Sequence, residues 1–330
     1  MKAIRKILVA VKNPDARRQP GVDKAIRIAK TLGAAVELFH AISTPVFLDL
    51  QPLTGTSIAE LKRESLAKRQ QRLDLLVARA RKLGVPASGA VEWDFPPHEA
   101  IVRQAVSVRA DLVIAECHEG KRRGWLMRLT DWELLRASPM PVLIMKSHKP
   151  WRRPRVLAAI DPSHAHAKPS GLDTRIVAEG NLLATALRGS LHLMHANYPS
   201  VIGMTLGDPG IDAVTLAASY DAQKAQDKRE FEAFAAAAGI PRARRHLVDR
   251  SPADAIAVVA RKVGADFVVM GAVSRSGLKR LFIGDTAERV LNSLSCDVLV
   301  VKPAHFQKRV TGKPRGMRVI GPQPILPLPA

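Results

Sequence analysis

The strongest constraint on this chain is that its sequence repeats. Four segments of the first half return, in the same order, in the second. Arg5–Ala10 (RKILVA) matches Pro154–Ala159 (PRVLAA), and Pro97–Ile101 (PHEAI) matches Pro252–Ile256 (PADAI). Ala110–Ala115 (ADLVIA) matches Ala265–Met270 (ADFVVM), and Pro141–Lys146 (PVLIMK) matches Asp297–Lys302 (DVLVVK). The offset grows from 149 to 156 residues, so the second copy carries modest insertions. A chain of 330 residues then divides into two domains of ordinary size.

Each copy reads as strand and helix in alternation. In the first, strands are expected at Lys6–Val11, Ala35–Ala41, Ala87–Glu92, Asp111–Ala115 and Pro141–Lys146. Helical spacing covers Gly21–Leu32, Ile58–Leu83, Pro97–Ser107 and Asp131–Ala137. In the long helix, Leu61, Leu66, Leu73, Leu76 and Ala80 are expected to face the core. The second copy predicts strands at Val156–Ile160, Ser190–Ala196, Arg244–Val248, Asp266–Met270 and Asp297–Val301. Its helices fall at Thr174–Leu187, Ala213–Ala238, Ala253–Val263 and Thr286–Leu294. Alternation of this kind implies α/β domains: two tandem open five-stranded parallel sheets flanked by helices. With aromatics at only 4%, the cores must be built from Val, Leu, Ile and Ala, as parallel sheets are.

The expected domains are 1–147 and 152–303, joined by a short, stiff, Pro-containing linker over Ser147–Pro154. Residues 304–330 form a basic Pro-rich tail without apolar periodicity, disordered or draped on the surface. The net charge of +21 is shared almost equally between the halves. An even spread points less to nucleic acid than one basic face would, but it attracts nucleotides and acidic partners. Two cysteines far apart, Cys117 and Cys296, argue against a disulfide framework. No apolar run reaches the length of a membrane span, and no signal-peptide core follows Met1. A cytoplasmic location is therefore expected.

Open parallel sheets bind ligands at the carboxyl ends of their strands, where strand order reverses. Flavodoxin-like order puts strands one and four side by side. In the second copy the loops after them are Ile160–Ser163 and Gly271–Gly284, the latter running into a helix at Asp285–Thr286. Glycines let backbone N–H groups approach an anion, and a helix N-terminus adds a positive dipole end. Arg275, Lys279 and Arg280 add charge, and Asp161 is placed to accept from a ribose or adenine. A ligand site and a purely structural turn are both open on this chemistry alone.

MGAVSRSG at 270–277, GDTAERV at 284–290 and CDVLVVKP at 296–303 resemble the end of a universal stress protein (UspA-like) domain. The tandem arrangement is similar to the E-type members and spans roughly 1–146 and 152–303. The resemblance implies an adenine nucleotide alpha hydrolase-like fold, a role in the stress response and binding of ATP or a related adenine nucleotide, with Mg²⁺. Carried onto this sequence, it implies contacts from Ala159, Ile160, Asp161, Ala196, Met270, Gly271, Val273, Ser274, Gly284, Asp285 and Thr286. Two positions depart from the ATP-binding pattern: Ser274 stands where a glycine is expected, and Asp285 where a small hydroxyl residue is. A carboxylate at 285 should repel phosphate, with Thr286 beside it as a partial substitute. The first copy lacks the glycine pattern. It has Lys12 at the aspartate position and Glu116 and Glu119 near the phosphate region, so its expected task is pairing or scaffolding, with an unrelated ligand also open.

Other residues are read as structural. Cys117, His118 and Glu119 are weighed as a nucleophile or metal cluster and read as a partly buried thiol with solvated neighbours. Asp161 with His164 and His166 lacks a fourth metal ligand and is read as a loop. His192 and His195 are read as satisfied structural histidines. The clusters Lys121–Arg123 and Arg242–Arg245 are read as solvated or partner-facing, and Met204–Gly210 as a surface excursion. No catalytic residue or metal ligand is assigned. The leading expectation is a nucleotide-responsive protein acting through conformation or an unidentified protein partner, with at most slow ATP hydrolysis. Paired domains would mimic a dimer within one chain, and a homodimer of chains is also open. The alternatives are a nucleotide-free scaffold that binds protein or nucleic acid through basic surfaces, and a hydrolase or transferase using the Cys117 region.

Overall fold

In a computed structural model, the described residues are 3–47, 57–117, 126–163, 171–198, 213–272, 285–303, 306 and 310–320. They form two compact units. One comprises Ala3–Ser138 together with Lys308–Ala330, and the other Pro139–Gln307.

The N-terminal unit begins with β1 (Lys6–Ala10) and α1 (Pro20–Leu32), followed by β2 (Ala35–Ile42) and the short β3 (Val46–Phe47). Then come α2 (Ile58–Lys82), β4 (Ala87–Trp93), α3 (Pro97–Ser107), β5 (Leu112–Glu116) and α4 (Leu126–Ala137). Its sheet runs β4-β2-β1-β5, and the three pairings are parallel. Ile7, Leu8 and Val9 of the central strand are buried, as a strand covered on both faces requires. Local signals set the helix ends. Pro20 opens α1, and Gly33 closes it in the left-handed region at φ +65°. Ser57 and Glu60 form a reciprocal capping box on α2. Along α2 only Leu73, Val77 and Ala80 are buried, so Leu61, Leu66 and Leu76 are only half-buried. The buried turns are those that pass Gly89 of β4, where an added Cβ would fall 2.9 Å from Val77 and 3.1 Å from Leu73.

The C-terminal unit contains β6 (Val142–Met145), β7 (Arg155–Ile160), α5 (Leu172–Ala186), β8 (Ser190–Ala196) and α6 (Ala213–Ala237). It continues with β9 (Arg245–Val248), α7 (Pro252–Val263), β10 (Phe267–Gly271), α8 (Asp285–Ser293) and β11 (Asp297–Val301). Strand order is β6-β11-β10-β7-β8-β9, all parallel except that β6 runs antiparallel to β11. The last strand of the first repeat thus lies in this unit. The linker after it is fastened by Asp297, which is wholly buried. Asp297 Oδ1 accepts the N–H groups of Lys146 and Ser147 at 2.8 and 2.9 Å, and Oδ2 accepts from Trp151 Nε1 at 2.9 Å. Trp151 in turn lies against Phe267, with ring centroids 4.3 Å apart.

The recurring Ala-Asp of the repeats now has a physical reason. Asp111 Oδ2 accepts the N–H groups of Arg5 and Lys6 at the start of β1, and Asp266 Oδ2 accepts that of Arg155 at the start of β7. Each aspartate serves strand-end donors that the ladder leaves open. The expected adjacency of strands one and four also holds in both units: Ile7 pairs with Leu112, and Val156 with Phe267. The tail segment 310–320 lies on the N-terminal unit and includes β12 (Val319–Ile320), parallel to β3. Among the described residues, no helix is long and apolar enough to cross a membrane.

Candidate functional site

At the carboxyl end of the C-terminal sheet, β7, β8 and β10 deliver Asp161, Ala196 and Gly271 to one edge. Apolar strand interiors place them there. Ile160 and Met270 are buried, Ala159 is half-buried, and the chain turns to polar residues where each strand ends. Asp161 is fixed through its backbone, whose N–H donates to Asp173 Oδ1 at 3.1 Å. Its side chain is partly exposed and accepts from Ser163 Oγ at 3.2 Å. Val273, Ser274 and Gly284 lie outside the described residues. Asp285 and Thr286 open α8, in the first turn where unpaired N–H groups gather.

His195, read from sequence as a satisfied histidine, is satisfied on one side only. Its Nδ1 lies 3.1 Å from the Ile160 carbonyl and 3.9 Å from Asp161 Oδ1. A carbonyl can only accept, so Nδ1 carries the proton, and in the neutral ring Nε2 is left as an acceptor. That Nε2 is buried and has no hydrogen-bond partner among the described residues. Asn197 Oδ1 is a second buried acceptor that finds no donor among the described residues. The two flank Ala196, and buried polar atoms left in this way are uncommon in folded proteins. Sequence reasoning missed both, because an unmet hydrogen bond is visible only once neighbours are known. His40 repeats the first half of this arrangement in the N-terminal unit, with Nδ1 2.8 Å from the Val11 carbonyl, and its burial lowers its pKa.

Gly271 has a second reason to be glycine. A Cβ there would fall 2.7 Å from Leu172 Cδ2, so the missing side chain makes room for α5. In the N-terminal unit the matching strand end is Glu116, and the close contact is reversed. Its Oε1 accepts the Gly21 N–H at 2.8 Å, and a Cβ on Gly21 would fall 2.6 Å from that oxygen. A carboxylate of the protein itself therefore occupies the N-terminus of α1, where an anion is favoured.

His192 Nδ1 lies 3.2 Å from His246 Nε2 on the neighbouring strand, and burial lowers the pKa of both rings. Cys296 is a free thiol pushed up to about 11 by burial and then by Asp297, the opposite of a reactive cysteine. Cys117 likewise forms no disulfide and is half-buried. His118, Glu119, His164, His166, the cluster Lys121–Arg123 and Met204–Gly210 lie outside the described residues. Arg242–Arg244 form an exposed turn, whereas Arg245 is held by the Ile240 carbonyl and Glu232. No group of three or more metal-ligating side chains occurs among the described residues.

Comparison with known proteins agrees with this architecture. The Universal stress protein family model matches residues 3–146 and again 153–302. Universal stress protein E of Escherichia coli K12 is 27% identical over 306 residues, covering 92% of this chain and 96% of that protein. A functionally unknown protein of Pseudomonas aeruginosa PAO1 superposes with a TM-score of 0.69 at 25% identity, over 91% of this chain and 93% of that one. A universal stress protein of Archaeoglobus fulgidus shares the fold, with a TM-score of 0.61 at 19% identity, over 91% of this chain and 97% of its own. Two matches to one family model, covering nearly the whole chain in succession, show that the protein belongs to the universal stress protein family, with two such domains in tandem.

Proposed function

We propose that this family member binds an adenine nucleotide in its C-terminal unit and acts in stress adaptation through nucleotide-linked conformation or partner binding rather than through catalysis. The observation that carries this reading is the pair of buried acceptors, His195 Nε2 and Asn197 Oδ1 on either side of Ala196, that find no donor among the described residues. An adenine base brings the kind of group these atoms lack, an exocyclic amine that donates. Asp161, at the same edge, suits a ribose hydroxyl. The residues that would hold the ligand are Ala159, Ile160, Asp161, Ala196, Met270, Gly271, Val273, Ser274, Gly284, Asp285 and Thr286. Mg²⁺ would arrive with the phosphates of ATP and offset the Asp285 carboxylate. In the N-terminal unit, Glu116 at the helix N-terminus supports a scaffolding task instead. Two cysteines that form no disulfide among the described residues fit a cytoplasmic setting.

Isothermal titration of the full chain with ATP, ADP and AMP, with and without Mg²⁺, tests the reading. Saturable binding is expected, weakened at least about ten-fold by Asp161→Ala, the loss of a hydrogen bond at a charged group. Absence of heat, together with absence of any thermal shift, would sink it.

A further inference from the structure

The carboxyl edge of the N-terminal sheet is occupied, and its occupant comes from the other end of the chain. Asp94 follows β4, Glu99 stands in the first turn of α3, and β3 follows β2, so all three lie at that edge. Asp94 is wholly buried. Its Oδ1 accepts the N–H of Arg315 at 2.9 Å and that of Gly316 at 2.7 Å, while Oδ2 pairs with the buried Arg103. Gly316 sits at φ +82°, a conformation that favours glycine and here accompanies two successive N–H groups on one oxygen. Its carbonyl accepts the Phe95 N–H at 3.2 Å. Arg315 Nε and Nη2 donate to Glu99 Oε2 and Oε1 at 2.9 and 2.6 Å, a two-pronged grip on one carboxylate. Arg318 lies 5.4 Å from the centroid of the Phe95 ring, and Val319–Ile320 add a strand beside Val46–Phe47.

This is recognition chemistry more than core packing. Residues 311–315 are exposed, and the added strand is two residues long. What holds the segment is main-chain N–H on a buried carboxylate, a guanidinium on a second carboxylate and strand addition. The tail from Pro303 onward carries five basic residues and no acidic one, complementary to Asp94 and Glu99. We propose that the carboxyl edge of the N-terminal sheet is a peptide-binding site for an extended basic Arg-Gly segment, filled here by the chain's own residues 310–320. In the half where Glu116 closes the helix N-terminus, the edge has been given over to a polypeptide ligand.

The test uses the full chain and a fluorescein-labelled peptide of residues 308–320. A full-length variant carrying Arg315→Ala and Gly316→Val loses both the fork and the glycine turn, releasing its own tail. The peptide should bind this variant saturably and at least about ten-fold more tightly than wild type, where the attached tail competes at high effective concentration. Adding Glu99→Gln should weaken it at least about ten-fold. Circular dichroism establishes that each variant is folded. As a second measurement, trypsin should cut after Arg315 at least about ten-fold faster in full-length Glu99→Gln than in wild type, and raised salt should speed cutting in wild type. A folded tail-released variant that ignores the peptide, or equal cutting rates, overturns the proposal. A wild-type dimer that falls apart on Arg315→Ala would give the site to a second copy's tail and overturn filling by the chain's own.

Discussion

The two halves solve one steric problem in opposite ways. In each, the end of the fourth repeat strand approaches the first helix so closely that side chains on both partners would force one of them to shift. The N-terminal half places Glu116 on the strand and Gly21 on the helix, whereas the C-terminal half places Gly271 on the strand and Leu172 on the helix. Volume is conserved across the contact while chemistry is not. One arrangement leaves a carboxylate on helix N–H groups, and the other leaves an apolar contact with no charge from the strand. Glycine at a strand end is thus not by itself a sign of a phosphate site. In this fold it also records which partner yielded the space.

The largest effect is expected where the halves differ most sharply, at Asp297, whose counterpart in the first repeat is Pro141. Asp297→Ala removes the acceptor of three donors and should cost the C-terminal unit about 3 kcal/mol or more. Hydrogen-exchange mass spectrometry, which reads each unit separately, should show lost protection in β11 and leave β1 unchanged. Next comes a transplant. Gly271→Glu should destabilise the same unit by about 2 kcal/mol through overpacking against Leu172 and abolish nucleotide binding. Adding Leu172→Gly should restore stability in urea melts but not binding. Stability that stays low in the double variant would break the idea of a reversed pair.

Gly21→Ala should be milder, about 1 kcal/mol, because the atom it meets is the movable tip of Glu116. The smallest effect is shared by both halves. Burial lowers the pKa of His40 and His98 in one and of His192 and His246 in the other below the ordinary 6.5. The unfolded chain then binds these protons more readily. Stability is fully present above about pH 6.5 and declines as pH falls below it. Thermal melts from about pH 7.5 down to about pH 5, across the histidine range, should show the decline, and His192→Gln with His246→Gln should flatten it for the C-terminal unit alone.

Much of the fold was legible because it is written in short-range terms. Apolar runs such as Ile7–Val9 and Phe267–Met270 mark strands buried on two faces, and Gly33 and Gly264 stop helices at positive φ. Element ends moved by a few residues at most, as with the helix expected at Asp131–Ala137 that begins at Leu126. The pairing of β3 with β12 was not legible, since two-residue strands carry no periodicity and their partners lie over 270 residues apart. The grip of Arg315 on Glu99 was hidden for the same reason. At the candidate site, Asp161 and Gly271 follow from strand ends, but the acceptors of His195 and Asn197 that find no donor among the described residues depend on which side chains pack around them. The reversed pair was within reach: aligning the repeats sets Glu116 beside Gly271, and a large-for-small exchange there asks for its complement across the contact.

The seat of Arg315 and Gly316 has a consequence for biosynthesis. The ribosome makes the body of the N-terminal unit before residues 310–320, with the C-terminal unit in between. Until those residues emerge, the buried Asp94 Oδ1 waits without the two N–H groups that satisfy it. The earlier-made half is therefore completed only after the later-made half has emerged, and a chain cut short before residue 310 would betray itself at Asp94.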